Sequence, residues 1–437
     1  MIAPTTPRIV LAAGVRTPWA RAGGAFAQED AGHLGALVAR EVIARSGIDP
    51  GEIDEVIAGC AGPPHDQANV GRVIALRAGV PERVPAKTVA RNCASGMEAL
   101  TSAWTQIRAG QGELYLVVGV EVMSRFPLFF GEKATKLFAE LARARTTGER
   151  VRVATSFRPA MLKPRIGLME GLTDPVPGLI MGKTAEILAR EWDVSREEAD
   201  RFALESHQRA RRARDEGRFA REIVPVLPLG ARGGARSLEH DDSIRDEQTL
   251  EALGRLKPYF EKPDGRVTVG NSCGVTDGAC ALLVATDRRA RALGIEPLAE
   301  VEGFAWAGLD PARMGLGPVY ATSKLLEEND LELVDVDAIE LNEAFAVQVL
   351  ACIRAFESDD FARAHLGREQ AVGRVDLRKL NRNGGAIALG HPVGATGARL
   401  LLSAAHEVRE GSNERVLATL CIGGGQGGAV MLRRYAT

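Results

Sequence analysis

Two stretches far apart in the chain align without a gap. One is CASGMEALTSAWTQIRAGQGELYLVVGVEVM, starting at Cys93, and the other is GATGARLLLSAAHEVREGSNERVLATLCIGG, starting at Gly394. In both, a small triplet (Ala94-Ser95-Gly96, Ala395-Thr396-Gly397) precedes an apolar pattern at helical spacing. In both, a glutamate, Glu113 or Glu414, stands just before an apolar run of strand character. A second echo pairs EIDEVIAGC (52–60) with DVDAIELNE (335–343) and sets Gly59 opposite Asn342 at a strand end. Repeats of this length are domain duplications, not solenoid units. They predict two similar α/β halves, with largely parallel sheets covered on both faces.

Between the halves, residues 122–266 have a different character. They are rich in arginine, and SREEADRFALESHQRARRARDEG (195–217) reads as a charged amphipathic helix opened by a Ser195–Glu198 capping box. Residues 133–169 carry nine Lys or Arg against two Glu. Such a segment is either a solvated or subunit-facing excursion, or a surface for an anionic ligand or a membrane. The divisions that follow are 1–121 and 267–294 for the first half, 122–266 for a covering loop domain, and 295–437 for the second half. The whole chain has a net charge of −2, which gives no support for nucleic-acid binding. Six cysteines form no C-x-x-C pair, and the first residues read as a strand and not a targeting segment. Both features point to reduced thiols in the cytoplasm.

Cys93 is the first candidate for chemistry. A thiol at a helix start lies near unpaired N–H groups and the positive end of the dipole, which favour the reactive thiolate. The alternative for any free cysteine is a buried structural thiol. His391 sits in a glycine-rich loop, ALGHPVGATG, close to the repeat counterpart of Cys93. If the halves pack about a pseudo-twofold, both helix starts converge, bringing His391, Cys93 and the strand end at Cys421 together. LNEAF (341–345) ends another strand, and parallel α/β sheets place their sites at such ends. GGGQGG (423–428) formally satisfies a dinucleotide fingerprint but lacks a following helix and acidic partner. No Cys/His cluster suggests a metal.

Four ordered signatures, NCASG, NEAF, GHPVGATGAR and CIGGGQGG, make the chain resemble the thiolases over essentially its whole length. GLTD, MGKTAE, LKPYF and GNSCGVTDGA support the likeness. The resemblance implies an α/β thiolase fold, with two βαβαβαββ halves in a five-layered αβαβα core plus a loop domain. It implies coenzyme A as a substrate, no tightly bound cofactor, and a homodimer or homotetramer. The basic stretch and the SHQRA helix are most similar to long-chain β-oxidation subunits. That likeness adds a hydratase/dehydrogenase partner and a peripheral membrane contact through 133–169 as expectations.

By the same resemblance, Cys93 is the nucleophile, His391 its base and Cys421 the acid/base of thiolytic cleavage of a 3-ketoacyl-CoA. One oxyanion hole uses His391 and a water held by Asn342. The other uses the backbone N–H groups of Cys93 and Gly423. The coenzyme A contacts would be Met181, Arg245, Phe260, Cys273 and Phe345, with Arg245 at the nucleotide end. The chain departs from its relatives in carrying Asn342 where long-chain subunits often have His. It also has Ile180 where short-chain biosynthetic enzymes often have His, and Cys273 at a pantetheine-contacting Ser. The alternatives are an acetoacetyl-CoA thiolase working in the condensation direction, a decarboxylating ketoacyl synthase, and a non-catalytic acyl-CoA-binding scaffold. The synthase would need a second histidine near the site. The scaffold would be expected to have lost Cys93, His391 or Cys421.

Overall fold

A computed structural model describes residues 7–231, 236–410 and 412–436. The outermost parts of the two expected halves (1–6 and 437), four positions of the expected loop domain (232–235) and position 411 of the repeat lie outside the described residues. Counting only the elements of the duplicated halves, the first half runs β1 (Ile9–Arg16), α1 (Ala31–Ser46), β2 (Glu55–Gly59), α2 (Val70–Arg77), β3 (Ala86–Val89), α3 (Ser95–Arg108) and β4 (Leu114–Val122). After the excursion it closes with β5 (Thr276–Thr286). The second half runs β6 (Ala299–Gly308), α4 (Gly317–Glu328), β7 (Ala338–Leu341), α5 (Ala346–Phe356), α6 (Val393–Glu410), β8 (Arg415–Ile422) and β9 (Gln426–Arg433). The aligned repeat therefore becomes α3–β4 and α6–β8, and the shorter echo becomes β2 and β7.

The strands lie in the order β7-β8-β9-β6-β1-β5-β4-β2-β3. Two departures from the sequence reading stand out. The sheets are mixed, not largely parallel: β2 runs parallel to β3 and β4, and β7 to β8, but all pairings of β1, β5, β6 and β9 are antiparallel. The cause is local in the second half, where β8 and β9 form a hairpin whose turn has positive φ at Gly424 (+93) and Gly425 (+74). The third strand expected in the second half is also reduced to one bridge, Ile339 to Leu380, because no apolar run precedes Leu380. The two half-sheets meet edge to edge through the pairs Val10–Glu300 and Leu11–Ala299.

Five layers follow from the burial. α1 and α2 cover one face of the first half-sheet, and α4 and α5 cover the outer face of the second. α3 and α6 fill the centre, where Met97, Leu100, Leu401 and Leu402 share one core with strand residues of both halves. α6 is buried on nearly all sides, as a helix between two sheets must be. The central helices approach at glycines that the repeat aligns with each other. A Cβ on Gly96 would lie 2.8 Å from Ala398 N, and one on Gly397 would lie 2.5 Å from Met97 N. Only hydrogen fits at either place.

The excursion is tied down by buried polar contacts. The Arg16 guanidinium, fully buried at the end of β1, donates to Glu222 (3.1 Å) and doubly to Asp241 (2.7 and 2.9 Å). The capping box at Ser195 and Glu198 opens the Arg196–Asp215 helix, as the spacing suggests. From that helix Ser206 Oγ donates to Glu343 (2.6 Å) and Arg209 to Leu380 O (2.7 Å). The basic segment forms a hairpin, Leu128–Phe130 with Pro164–Ile166, and two helices, Glu132–Arg143 and Thr147–Thr155.

Gly397→Ala should lower the free energy of unfolding by about 1–3 kcal/mol, because a backbone nitrogen cannot rotate away from the new methyl. Gly148→Ala, at a helical site with open space around it, should be neutral or stabilising. Urea titrations of both variants check this, and equal stability in the two would contradict the close helix crossing.

Candidate active site

The starts of α3 and α6 and the ends of β7 and β8 converge beneath the excursion. The chain enters α3 through a short 3₁₀ turn, Asn92–Ala94, and Asn92 takes a left-handed conformation (φ +44). Ser95 Oγ steadies the turn by accepting from Arg91 N–H (2.9 Å) and donating to Asn92 O (2.8 Å). From Asn92, Nδ2 reaches the second half and donates to Gly423 O (2.7 Å). The Cys93 thiol then faces its own N–H and that of Gly423. These N–H groups favour the thiolate, as the helix-start position suggests. Burial nevertheless outweighs them, and with the charge of Glu121 it raises the thiol above its ordinary value of 9.0. Desolvation thus opposes the thiolate that the helix start favours, and the net direction is toward the neutral thiol, which leaves the proton for His391 to take.

His391 is buried, reached through Gly390, whose φ of +104 and closeness to Thr276 exclude a side chain. Its Nδ1 lies 2.6 Å from Thr396 Oγ1, and that hydroxyl donates to Pro392 O (3.0 Å). A hydroxyl with its one proton so engaged accepts from the ring, so Nδ1 carries the hydrogen and Nε2 the lone pair. Nε2 is buried and without a hydrogen-bond partner among the described residues. Burial, with the Arg399 charge, lowers the imidazole pKa to about 4, so the ring is neutral at pH 7.

Asn342 follows β7, with its N–H donating to Thr419 O (3.0 Å). Its side chain is fully buried, yet neither Oδ1 nor Nδ2 has a partner among the described residues, a state that fits an amide meant to hold a water. Neighbouring Glu343 anchors this loop, accepting from Ser206 Oγ (2.6 Å), Asn381 Nδ2 (2.8 Å) and Ile387 N–H (3.3 Å). Cys421, near the end of β8, is 1% exposed. Burial pushes its thiol well above the usual range, and the charges of ionised Cys93, Cys352 and Cys273 push it further.

Two cavities share a wall of Met123, Leu168, Leu172, Met181 and Val393. One, of about 400 Å³, holds Asn92, Cys93 and Gly423. The other, of about 430 Å³, holds His391, Phe260, Cys273 and Phe345. Phe260 and Phe345 meet edge to face at 6.2 Å, and the Cys273 thiol is pushed up to about 12 by burial and the Cys93 charge. The structure thus sets Cys93 and Gly423 on one cavity and His391, Met181, Phe260, Cys273 and Phe345 on the adjoining one, while Asn342 and Cys421 are buried at the ends of β7 and β8 and line neither. It leaves Arg245 exposed and outside both cavity walls, with its N–H donating to His207 Nδ1 (3.2 Å). Among the described residues, no group of three or more His, Cys, Asp or Glu is placed to hold a metal.

Three contributors escape the sequence reading. Thr396 fixes the histidine tautomer, and its alignment with Ser95 was the available signal. Asn92 joins the two halves. Glu121 accepts from the N–H groups of Ala61 (3.0 Å), Gly62 (3.1 Å) and Gly394 (2.9 Å), tying a cavity wall to the start of α6. Chemically, a neutral base with a free lone pair, two protonated thiols and inward N–H donors suit acyl transfer through a sulfur nucleophile.

Residues 9–288 match the family model "Thiolase, N-terminal domain", and residues 295–434 match "Thiolase, C-terminal domain". The chain is 43% identical over 422 residues to a beta-ketoadipyl-CoA thiolase of Pseudomonas aeruginosa, covering 96% of this chain and 97% of that protein. It superposes on the crystal structure of the Bacillus anthracis acetyl-CoA acetyltransferase with a TM-score of 0.86 and 35% identity, covering 99% and 100% of the two chains. Human mitochondrial 3-ketoacyl-CoA thiolase gives a TM-score of 0.83 at 34% identity, over 99% and 100%.

Alkylation of Cys93 by iodoacetamide should keep rising with pH beyond 9.0, the ordinary thiol value, because the thiol is raised above it. Peptide-resolved labelling rates across pH 5–10 provide the check. A plateau near neutral pH would mean a stable thiolate–imidazolium pair and contradict the electrostatics above.

Proposed function

The chain belongs to the thiolase family, and from that premise we propose that it cleaves 3-ketoacyl-CoAs with coenzyme A in fatty-acid β-oxidation, through an acyl-enzyme on Cys93. Thiolases are acyl-CoA acyltransferases that use coenzyme A as a substrate without a tightly bound cofactor. The observation that carries the mechanism is the neutral, buried His391 with its unpartnered Nε2, lining a cavity that shares a wall with the one lined by Cys93.

The Cys93 thiol gives its proton to His391 Nε2 as sulfur attacks the C3 ketone, and the new oxyanion lies against the N–H groups of Cys93 and Gly423. The C2–C3 bond then breaks and its electron pair passes to C2. The resulting acetyl-CoA enolate is held by the protonated His391 and a water on Asn342. Cys421 protonates C2, acetyl-CoA leaves, and Cys93 retains the shortened acyl group. A second coenzyme A gives its thiol proton to the Cys421 thiolate and attacks the acyl carbonyl. The Cys93 thiolate departs and recovers its proton from His391.

Cavity lining supports an uncharged, medium to long acyl chain. Beside Cys93 lie the apolar side chains of Phe126, Leu168, Leu172 and Val176, together with the carboxylates of Glu170 and Asp174 and no Lys or Arg. A ketoadipyl substrate would place a second carboxylate beside Asp174 and beside Glu170, whose own charge is already paired with Arg165 (2.7 and 2.9 Å). A further cavity of about 420 Å³, lined by Arg125, His65 and Asp66 as well as Phe126, Pro127 and Phe129, shares Phe126, Glu170 and Gly171 with the first and gives a longer chain somewhere to go. Phe260 and Phe345 suit pantetheine, and the exposed Arg245 suits the nucleotide end. A homo-oligomer is supported by β3, an edge strand with only β2 beside it. Contact with an anionic bilayer or a β-oxidation partner subunit is supported by the basic excursion, where Leu128, Val151 and Leu162 are each more than half exposed.

Cys93→Ser should abolish turnover. Cys421→Ala should still acylate Cys93 but lose proton exchange at the acetyl methyl group; exchange at the wild-type rate would remove Cys421 from the mechanism. Over a series of 3-ketoacyl-CoAs, kcat/KM should rise by up to about fourfold per added methylene before levelling off, since a buried methylene contributes about 0.8 kcal/mol. A maximum at acetoacetyl-CoA would identify an acetoacetyl-CoA thiolase, and a maximum at 3-ketoadipyl-CoA would overturn the reading of the acyl cavity.

A further inference from the structure

Asn92 stands directly before the nucleophile and combines two features that no other residue of the site shares. Its φ of +44 is left-handed, a conformation that asparagine tolerates far better than most side chains. Its amide spans the two halves, with Nδ2 donating to Gly423 O at 2.7 Å. Gly423 begins the glycine turn between β8 and β9, and Gly424 and Gly425 both have positive φ. With no side chain, Gly423 is otherwise located, among the described residues, only through its hairpin, held by the Ile422–Gln426 pair and by Leu309 N–H donating to Gly425 O (2.8 Å). A Cβ there would find its nearest heavy atoms at Met181 Sδ (3.2 Å) and Asn92 Nδ2 (3.8 Å).

We propose that Asn92 is a positioning residue that registers the two donors of one oxyanion hole against each other. Its left-handed turn aims the Cys93 N–H, and its amide fixes the place of Gly423, whose N–H is the second donor. The inference rests on the acyl-transfer reading above, in which an oxyanion forms beside Cys93. Donors preorganised on separate halves of a duplicated fold need a direct link, because small displacements between them weaken the hole steeply. The surrounding contacts hold the turn and reach the hairpin at Gln426, whereas the Asn92 amide bonds Gly423 itself. Ser95 Oγ satisfies Arg91 N and Asn92 O, while the Arg91 guanidinium pairs with Glu98 (2.6 Å) and Gln426 (3.0 Å).

Two variants separate the features. Asn92→Gly keeps the left-handed turn and removes the amide. Asn92→Asp keeps the shape and the turn but replaces the donor with a carboxylate facing a carbonyl oxygen. In both, pre-steady-state acylation of Cys93 by a 3-ketoacyl-CoA should slow at least about tenfold. Alkylation by iodoacetamide, which needs the thiolate that the Gly423 N–H also favours but forms no oxyanion, should fall by no more than about threefold in Asn92→Gly, while KM stays within about twofold of wild type. Acylation at the wild-type rate in Asn92→Gly would overturn the proposal, as would a parallel loss of alkylation and acylation in both variants, which would mean that Asn92 acts on the thiol alone. Wild-type enzyme that is alkylated but never acylated would instead overturn the acyl-transfer reading, so the two failures are distinguishable.

Discussion

At the molecule's centre α3 and α6 cross in close contact at Gly96 and Gly397, where a backbone nitrogen of one helix takes the space that a Cβ of the other would need. Most of what matters for function depends on it. The crossing brings two helix starts from duplicated halves to one place, and the same approach lets Glu121 of the first half accept from Gly394 N–H of the second (2.9 Å). Duplicated sequence has then diverged in chemistry. One helix is preceded by Asn92-Cys93, the other by Gly390-His391-Pro392, so a nucleophile and a base arrive at adjoining cavities from the starts of equivalent helices. The aligned hydroxyls do different work on the same scaffold: Ser95 closes the turn around Asn92, and Thr396 holds the histidine ring.

Burial decides the electrostatics of the site. It raises Cys93, Cys421 and Cys273 and lowers His391, in each case favouring the neutral form over the charged one. The site therefore rests as neutral thiols and a neutral imidazole. Charge develops only as protons move during reaction, and the N–H groups of Cys93 and Gly423 and the unpaired Asn342 amide are placed to meet it. An exposed site with a standing ion pair would spend part of that stabilisation before substrate arrived.

Much of this was legible in the sequence for a definite reason. The ungapped repeat fixed the pairing of Cys93 with the 391–394 loop, and β2 and β7 fell where the shorter echo placed them. What escaped the sequence depends on contacts between distant segments. The thiolate favoured by the helix start is reversed because the excursion contributes Leu168, Leu172 and Met181 to the cavity walls, and local spacing carries no sign of that burial. The missing strand at Leu380 and the mixed sheet follow from the lack of an apolar run and from a glycine hairpin, details finer than a strand–helix alternation. Asn92 and Thr396 looked like small polar neighbours of a motif until their partners, Gly423 and His391, were in view.

Acylation of a single sulfur is the step on which the rest turns. The direct measurement is mass spectrometry of the wild-type protein mixed with a medium-chain 3-ketoacyl-CoA in the absence of free coenzyme A. The expected result is one acyl group, shorter than the substrate chain by the acetyl unit, on the peptide containing Cys93, with one equivalent of acetyl-CoA released. An adduct on Cys273, Cys352 or Cys421, or acetyl-CoA released with no adduct on Cys93, would contradict transfer through Cys93.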